Sequence, residues 1–110
     1  MNNKDVKVFK KILDEIKHVE GFIKDIDFET FINNEMLKRS VTMTLINIGE
    51  LTRILSEETK QAAKDIPFKA ITATRNVAAH GYEELRFDYV WETVKTDIPD
   101  LKEKIEKLLS

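Results

Sequence analysis

The sequence predicts an all-α fold: an up-and-down four-helix bundle with a short extra helix and a kinked C-terminal helix. Three observations point there. Among 110 residues there are only 3 Gly and 2 Pro, too few breakers for a turn-rich β-sandwich. Hydrophobic residues make up 42% and charged residues 35%, a balance that can bury a core under a charged exterior. Apolar residues recur at three- and four-residue steps over several long segments, the mark of buried helical stripes. The length fits one domain, residues 1–110,.

The first stripe runs through Val6, Phe9, Ile12, Leu13, Ile16, Val19 and Ile23. Val8 and Phe22 fall off it, and Gly21 is expected to loosen or end the helix. Residues 25–34 read as a connection with one short turn, in which Phe28, Phe31 and Ile32 cover the core. Asn33 or Asn34 can cap a second long helix. Along it Leu37, Val41, Leu45 and Ile48 form one stripe, widened by Met36, Met43, Ile46, Leu51 and Ile54. So broad an apolar surface packs on more than one neighbour. Gly49 in its interior costs about 1 kcal/mol relative to Ala, which points to close approach at the bundle centre or a subunit interface.

Ser56 can cap a short helix reaching about Ala63,. Pro67 suits the first turn of the next helix, where its missing N–H is no loss. That helix is expected from Phe68 to about Ala79, closed by His80-Gly81 with a glycine tolerant of positive φ,. Residues 82–86 read as loop. Asp88 can cap a last helix carrying Val90, Trp91, Val94, Ile98, Leu101, Ile105 and Leu108 on one face. Pro99 lies inside that pattern and should kink or split it.

Eighteen basic residues against 20 acidic ones leave a net charge of −2, so any nucleic-acid contact must come from a local site. The absence of cysteine excludes thiolate nucleophiles and Cys-based metal sites in this sequence,. No metal-ligand spacing or Gly-rich phosphate loop is present, and neither metal nor cofactor is expected. The N-terminal run is charged and amphipathic rather than signal-like. No stretch approaches the roughly 18 apolar residues of a membrane span. A cytoplasmic protein without membrane attachment is expected.

Of the two histidines, His18 sits beside the first stripe and reads as a solvated or half-buried structural residue,. His80 stands in richer company, the segment Thr74-Arg75-Asn76-Val77-Ala78-Ala79-His80-Gly81-Tyr82. Arginine offers a planar fork matched to a phosphate's oxygens. Histidine, with an unperturbed pKa of about 6.5, exchanges protons near neutral pH. An anion clamp beside a proton shuttle is what phosphodiester cleavage by an internal 2′-hydroxyl requires. The same residues admit a plainer reading: Arg75 pairs with a carboxylate on a neighbouring helix, His80-Gly81 is a helix cap, and Tyr82 anchors a loop.

Arg75-Asn76, with His80 and then Tyr82, resembles the Arg-x4-His-x-Tyr signature of the HepT-like HEPN toxins, the ribonuclease toxins of HepT/MntA type II/VII toxin–antitoxin systems. Ile48-Gly49-Glu50-Leu51 is similar to that family's Ile-Gly-Glu stretch. Ile66-Pro67-Phe68 resembles its Ile-Pro-Trp helix start, with Phe replacing Trp, and Asp97-Ile98-Pro99-Asp100-Leu101 resembles its Asp-Leu-Pro-x-Leu kink. Ala78 and Ala79 depart from it, standing where bulkier aliphatics are usual.

The resemblance implies a HEPN-like bundle forming a two-fold homodimer that cuts RNA without metal. Arg75 and His80 would be the catalytic pair, Asn76 would shape the site, and Tyr82 would accept AMP from a minimal MntA-type nucleotidyltransferase antitoxin. One chain carries a single credible catalytic histidine, so two-fold pairing of His80 would supply both acid and base. The alternative is a catalytically silent adaptor for a nucleotidyltransferase, with Arg75 and His80 only binding nucleotide phosphate. A third is a purely structural helical dimer.

Overall fold

Asn2 opens the first helix. Its side-chain oxygen accepts the N–H of Asp5 at 2.7 Å, satisfying one of the amides that a helix start leaves bare,. The computed structural model describes residues 1–68, 71 and 81–110, and among them there are helices and no strand. Helix α1 (Asn3–Ile23) buries Asp5, Val8, Phe9, Ile12, Ile16 and Val19. Val8, expected off the stripe, is buried because it lies four residues before Ile12 on the same face,. Gly21 does not end the helix, which runs on to Ile23. The reversal falls at Asp25, at φ 59°, a left-handed conformation that Asp tolerates better than most side chains.

Helix α2 (Phe28–Ile32) is the expected short turn, capped by Asp27, whose carboxylate accepts the N–H of Thr30 at 2.8 Å. It places Phe31 fully inside the core. Of the two candidate caps for the next helix, Asn34 takes the role, accepting from the N–H of Leu37 at 3.0 Å. Helix α3 (Glu35–Arg53) buries Val41, Leu45 and Ile48 toward the core. Gly49 is buried within the single chain, which places it in the bundle interior rather than on an open surface. Ser56 caps α4 (Glu57–Ala62), as expected, through the N–H of Thr59 at 3.2 Å.

A helical turn begins at Pro67, whose carbonyl accepts the N–H of Ile71 at 3.1 Å. The rest of the helix expected to reach Ala79 lies outside the described residues. Gly81 is extended (φ 173°, ψ 109°), so the positive φ expected of it is not used. Residues expected as loop contain one 3₁₀ turn, Tyr82–Glu84. Helix α5 (Phe87–Glu92) follows without the expected cap. Arg86 holds the capping position with no side-chain bond, and Asp88 lies in the first turn, ion-paired to Arg86 at 2.9 Å.

Pro99 splits the last helix as expected, and the split takes a defined form. Between α5 and α6 (Ile98–Leu109) the backbone stays right-handed but widens into a π turn, Thr93–Asp97, with the N–H of Ile98 bonded to the carbonyl of Thr93. A proline ring collides with the carbonyl four residues earlier, here Lys95, and widening that turn moves the carbonyl aside.

Helix α1 packs chiefly along α3 and also along α6. Asp5 near the start of α1 bonds Ser56, just past the end of α3, so those helices run in opposite directions. Glu20 near the end of α1 meets Lys102 near the start of α6 at 3.0 Å, so that pair is antiparallel as well. This is an all-α up-and-down bundle. The start of α3, helix α2 and the start of α5 gather at one end of it.

Candidate functional site

At that end the chain re-enters through Gly81-Tyr82. Two bonds hold the 3₁₀ turn, Glu84 N–H to the Gly81 carbonyl at 3.1 Å and Leu85 N–H to the Tyr82 carbonyl at 3.2 Å. The turn brings Tyr82 against the first turn of α3. Because Asn34 fixes where α3 begins, Glu35 is its first residue, and Lys38 and Arg39 follow on the same face at three and four residues,.

Glu35 is the hub. Its Oε1 accepts the Tyr82 hydroxyl at 3.0 Å and lies 3.2 Å from Arg39 Nε, while its Oε2 lies 3.2 Å from Lys38 Nζ. The Arg39 guanidinium stands 4.3 Å above the centre of the Tyr82 ring, a cation–π contact. The Tyr82 ring meets Phe87 edge-on at 5.3 Å, and Lys38 Nζ lies 4.9 Å from the centre of Phe87. Phe87 in turn touches Phe31 at 6.3 Å, and Phe31 stacks at a tilt on Trp91 at 5.1 Å. An aromatic chain thus ties Tyr82, half-buried at the surface, to a fully buried core residue.

The electrostatics follow from these contacts. Burial raises the Tyr82 phenol above its ordinary range, and the hydrogen bond and negative charge of Glu35 raise it further, against an opposing pull from Arg39,. The hydrogen bonds from Lys38 and then Tyr82 hold the Glu35 carboxyl below its ordinary value. At neutral pH the site is therefore a neutral phenol donating to a carboxylate, flanked by two cations. Such a hydroxyl is oriented by its acceptor and open at the surface.

Of the residues singled out in the sequence, Tyr82 has a described position; Arg75, Asn76 and His80 lie outside the described residues. His18 is exposed on α1, as expected. Glu35, Lys38 and Arg39 are not among the residues the sequence singles out. Nothing local distinguishes such a trio from a solvated helix turn; only the return of the chain at Tyr82 does. Among the described residues no group of three His, Cys, Asp or Glu could hold a metal ion. No described helix is long and apolar enough to cross a membrane.

Comparison with known proteins places these observations in a family. Residues 12–108 match the family described as Ribonuclease HepT-like. The chain is 35% identical over 107 residues to a protein of Methanocaldococcus jannaschii named "Putative RNase MJ1380", covering 96% of this chain and 98% of that one. It is 33% identical over 97 residues to the "Probable ribonuclease HepT" of Thermococcus cleftensis, covering 88% of each. Another relative in M. jannaschii, "Gamma-glutamylcyclotransferase and putative RNase MJ0434", is 33% identical over 107 residues, which are 48% of that protein. No solved structure matches the chain significantly.

Proposed function

From the premise that this chain belongs to the HepT-like ribonuclease family, we propose that it is a metal-independent endoribonuclease and the toxin of a toxin–antitoxin pair. The observation that carries this reading is that the run from Arg75 through His80 to Tyr82 stands intact within the matched residues 12–108. In the proposed reaction a 2′-hydroxyl attacks the neighbouring phosphorus and the bond to the 5′-oxygen breaks. One His80 takes the hydroxyl proton and the His80 of a second copy protonates the leaving oxygen. Arg75 stabilises charge on the non-bridging oxygens through its two-pronged fork, and Asn76 shapes the pocket. The products are a 2′,3′-cyclic phosphate and a 5′-hydroxyl end.

The composite site requires a two-fold dimer. Exposed apolar residues along α3 and at its C-cap support one: Met36 is 76% exposed, Met43 56% and, just past the helix, Ile54 47%. Seven residues separate the first two and 11 the last two, so they lie on one side of the helix. Neutralisation would come from an MntA-type nucleotidyltransferase placing AMP on Tyr82, whose hydroxyl lies at the surface.

The test is RNA cleavage in EDTA by the partner-free protein, with Tyr82 shown unmodified by mass, beside His80→Ala. Cleavage by the wild type and none by a folded His80→Ala supports the reading. Equal cleavage by both sinks the mechanism. Nucleotide binding without cleavage turns the assignment toward an adaptor for a nucleotidyltransferase.

A further inference from the structure

We propose that Glu35 is a positioning residue that latches Tyr82 to α3, and with it the chain leaving His80, and that nucleotidylation of Tyr82 inactivates the protein by undoing this latch. The inference rests on the reading of His80 as catalytic and of Tyr82 as the acceptor, and it specifies how one controls the other.

The latch is a set of contacts across 47 residues of sequence, with the Tyr82 hydroxyl on Glu35 at 3.0 Å as its direct hydrogen bond among the described residues. Glu35 itself is held. It occupies the first turn of a capped helix, where a carboxylate is favoured by the helix dipole,, and both of its oxygens meet cations at 3.2 Å. The ring is held separately, under the Arg39 guanidinium and against the edge of Phe87. Two peptide units link Tyr82 to His80, a span of no more than about 7 Å. Fixing the phenol at both ring and hydroxyl therefore limits where a histidine two residues upstream can be carried. The latched tyrosine acts on cleavage through the backbone and need not touch RNA.

Modification removes the one proton the latch uses. In nucleotidyl transfer a bond forms between Tyr82 Oη and the α-phosphorus of a nucleoside triphosphate. The α–β phosphoanhydride breaks, pyrophosphate leaves, and the hydroxyl proton is lost to solvent. The resulting ester oxygen has nothing to donate to Glu35. Its phosphodiester also puts a new anion on the oxygen that faces the Glu35 carboxylate, where it competes with Glu35 for Arg39 and Lys38. Both effects act against the same contact. Inactivation would then follow from releasing the segment as well as from covering a cleft.

The experiment compares kcat and KM for RNA cleavage in wild type, Tyr82→Phe, Glu35→Ala, Glu35→Gln and the Tyr82→Phe/Glu35→Ala double variant, each checked for fold by circular dichroism. Tyr82→Phe and Glu35→Ala should each lower kcat about three- to tenfold, in the range of one typical net hydrogen bond, with KM within twofold. The double variant should be no worse than either single one, because both remove the same bond. Glu35→Gln, whose amide oxygen still accepts, should recover most of the loss. Full kcat in Tyr82→Phe, or a double variant that multiplies the two losses, would overturn the latch. Should His80→Ala cleave normally, the underlying assignment fails; should it be inactive while Tyr82→Phe is fully active, the latch alone fails. Amide exchange gives a second reading. The Glu84 and Leu85 amides, bonded within the 3₁₀ turn, should exchange at least tenfold faster in Glu35→Ala and in protein carrying AMP on Tyr82. Unchanged exchange in the modified protein would show that the nucleotide acts by coverage only.

Discussion

Asp5 and Ser56, 51 residues apart, are joined twice: the carboxylate of Asp5 accepts the Ser56 hydroxyl through one oxygen and the Ser56 N–H at 3.2 Å through the other. The Thr59 hydroxyl also donates to it. Asp5 is fully buried, yet its charge is met on all sides, at the junction where α1 begins, α3 ends and α4 is capped. The same Ser56 accepts from the N–H of Thr59, so a single carboxylate organises two helix starts.

Asp5→Ala should therefore destabilise the fold by about 1–3 kcal/mol, the cost of stranding buried hydrogen-bond donors, or roughly 4–8 °C in Tm for each kcal/mol in a domain near this size. Thermal unfolding at pH 7 measures it. By contrast Lys102→Ala, which breaks an exposed pair with Glu20, should leave Tm nearly unchanged.

The same carboxyl sets an acid limit. Hydrogen bonds from Ser56 and Thr59 hold its folded pKa below the ordinary 3.8. A lowered folded pKa gives stability that is complete above the unfolded value and is lost as pH falls through it toward the folded one. Wild-type Tm should drop faster than that of Asp5→Ala below about pH 4, and the gap between them should narrow there. A gap that stays constant down to pH 3 would show that the carboxylate's ionisation contributes nothing.

Phe31 bridges Phe28, Phe87 and Trp91 and is fully buried. Phe31→Ala should cost about 3–5 kcal/mol in chemical denaturation. It should also loosen Tyr82 through Phe87, visible as faster amide exchange in residues 82–85 under native conditions.

Thr42 presents the opposite case. Its hydroxyl is buried and has no hydrogen-bond partner among the described residues, so there the group carries a desolvation cost. Thr42→Val, which keeps the branched shape, should leave Tm unchanged or raise it by a few degrees. A clear fall in Tm would mean that the hydroxyl is used.

Arg75→Lys tests the proposed catalytic assignment apart from charge. A lysine keeps the cation but loses the two-pronged fork, so kcat/KM for RNA should fall by about 10²-fold. Near-normal activity would show that a point charge suffices.

Much of this protein was legible without coordinates. Helix starts at Asn34 and Ser56, the pairing of Pro67 with a new helical turn, and the break at Pro99 all follow from local rules about which residues satisfy bare amides or lack one. The stripes through Ile12, Ile16 and Val19 and through Val41, Leu45 and Ile48 mark the buried faces because helical periodicity is a property of the chain itself. The resemblance of Arg75, His80 and Tyr82 to the HepT-like signature points to the same family that residues 12–108 match.

Contacts between distant segments were not legible. Asp5 reads in the sequence as one more acidic residue in a first turn, and it becomes a buried junction only because Ser56 and Thr59 return to it. Glu35, Lys38 and Arg39 read as a charged helix turn until Tyr82 arrives from 47 residues away to place its hydroxyl on Glu35. Helix α1 ends at Ile23 rather than at Gly21, a position where an added Cβ would meet nothing within 4 Å. Periodicity and capping depend on neighbours within about four residues and are written in the chain. Which polar groups lose their water, and which partners replace it, is decided only when the helices pack.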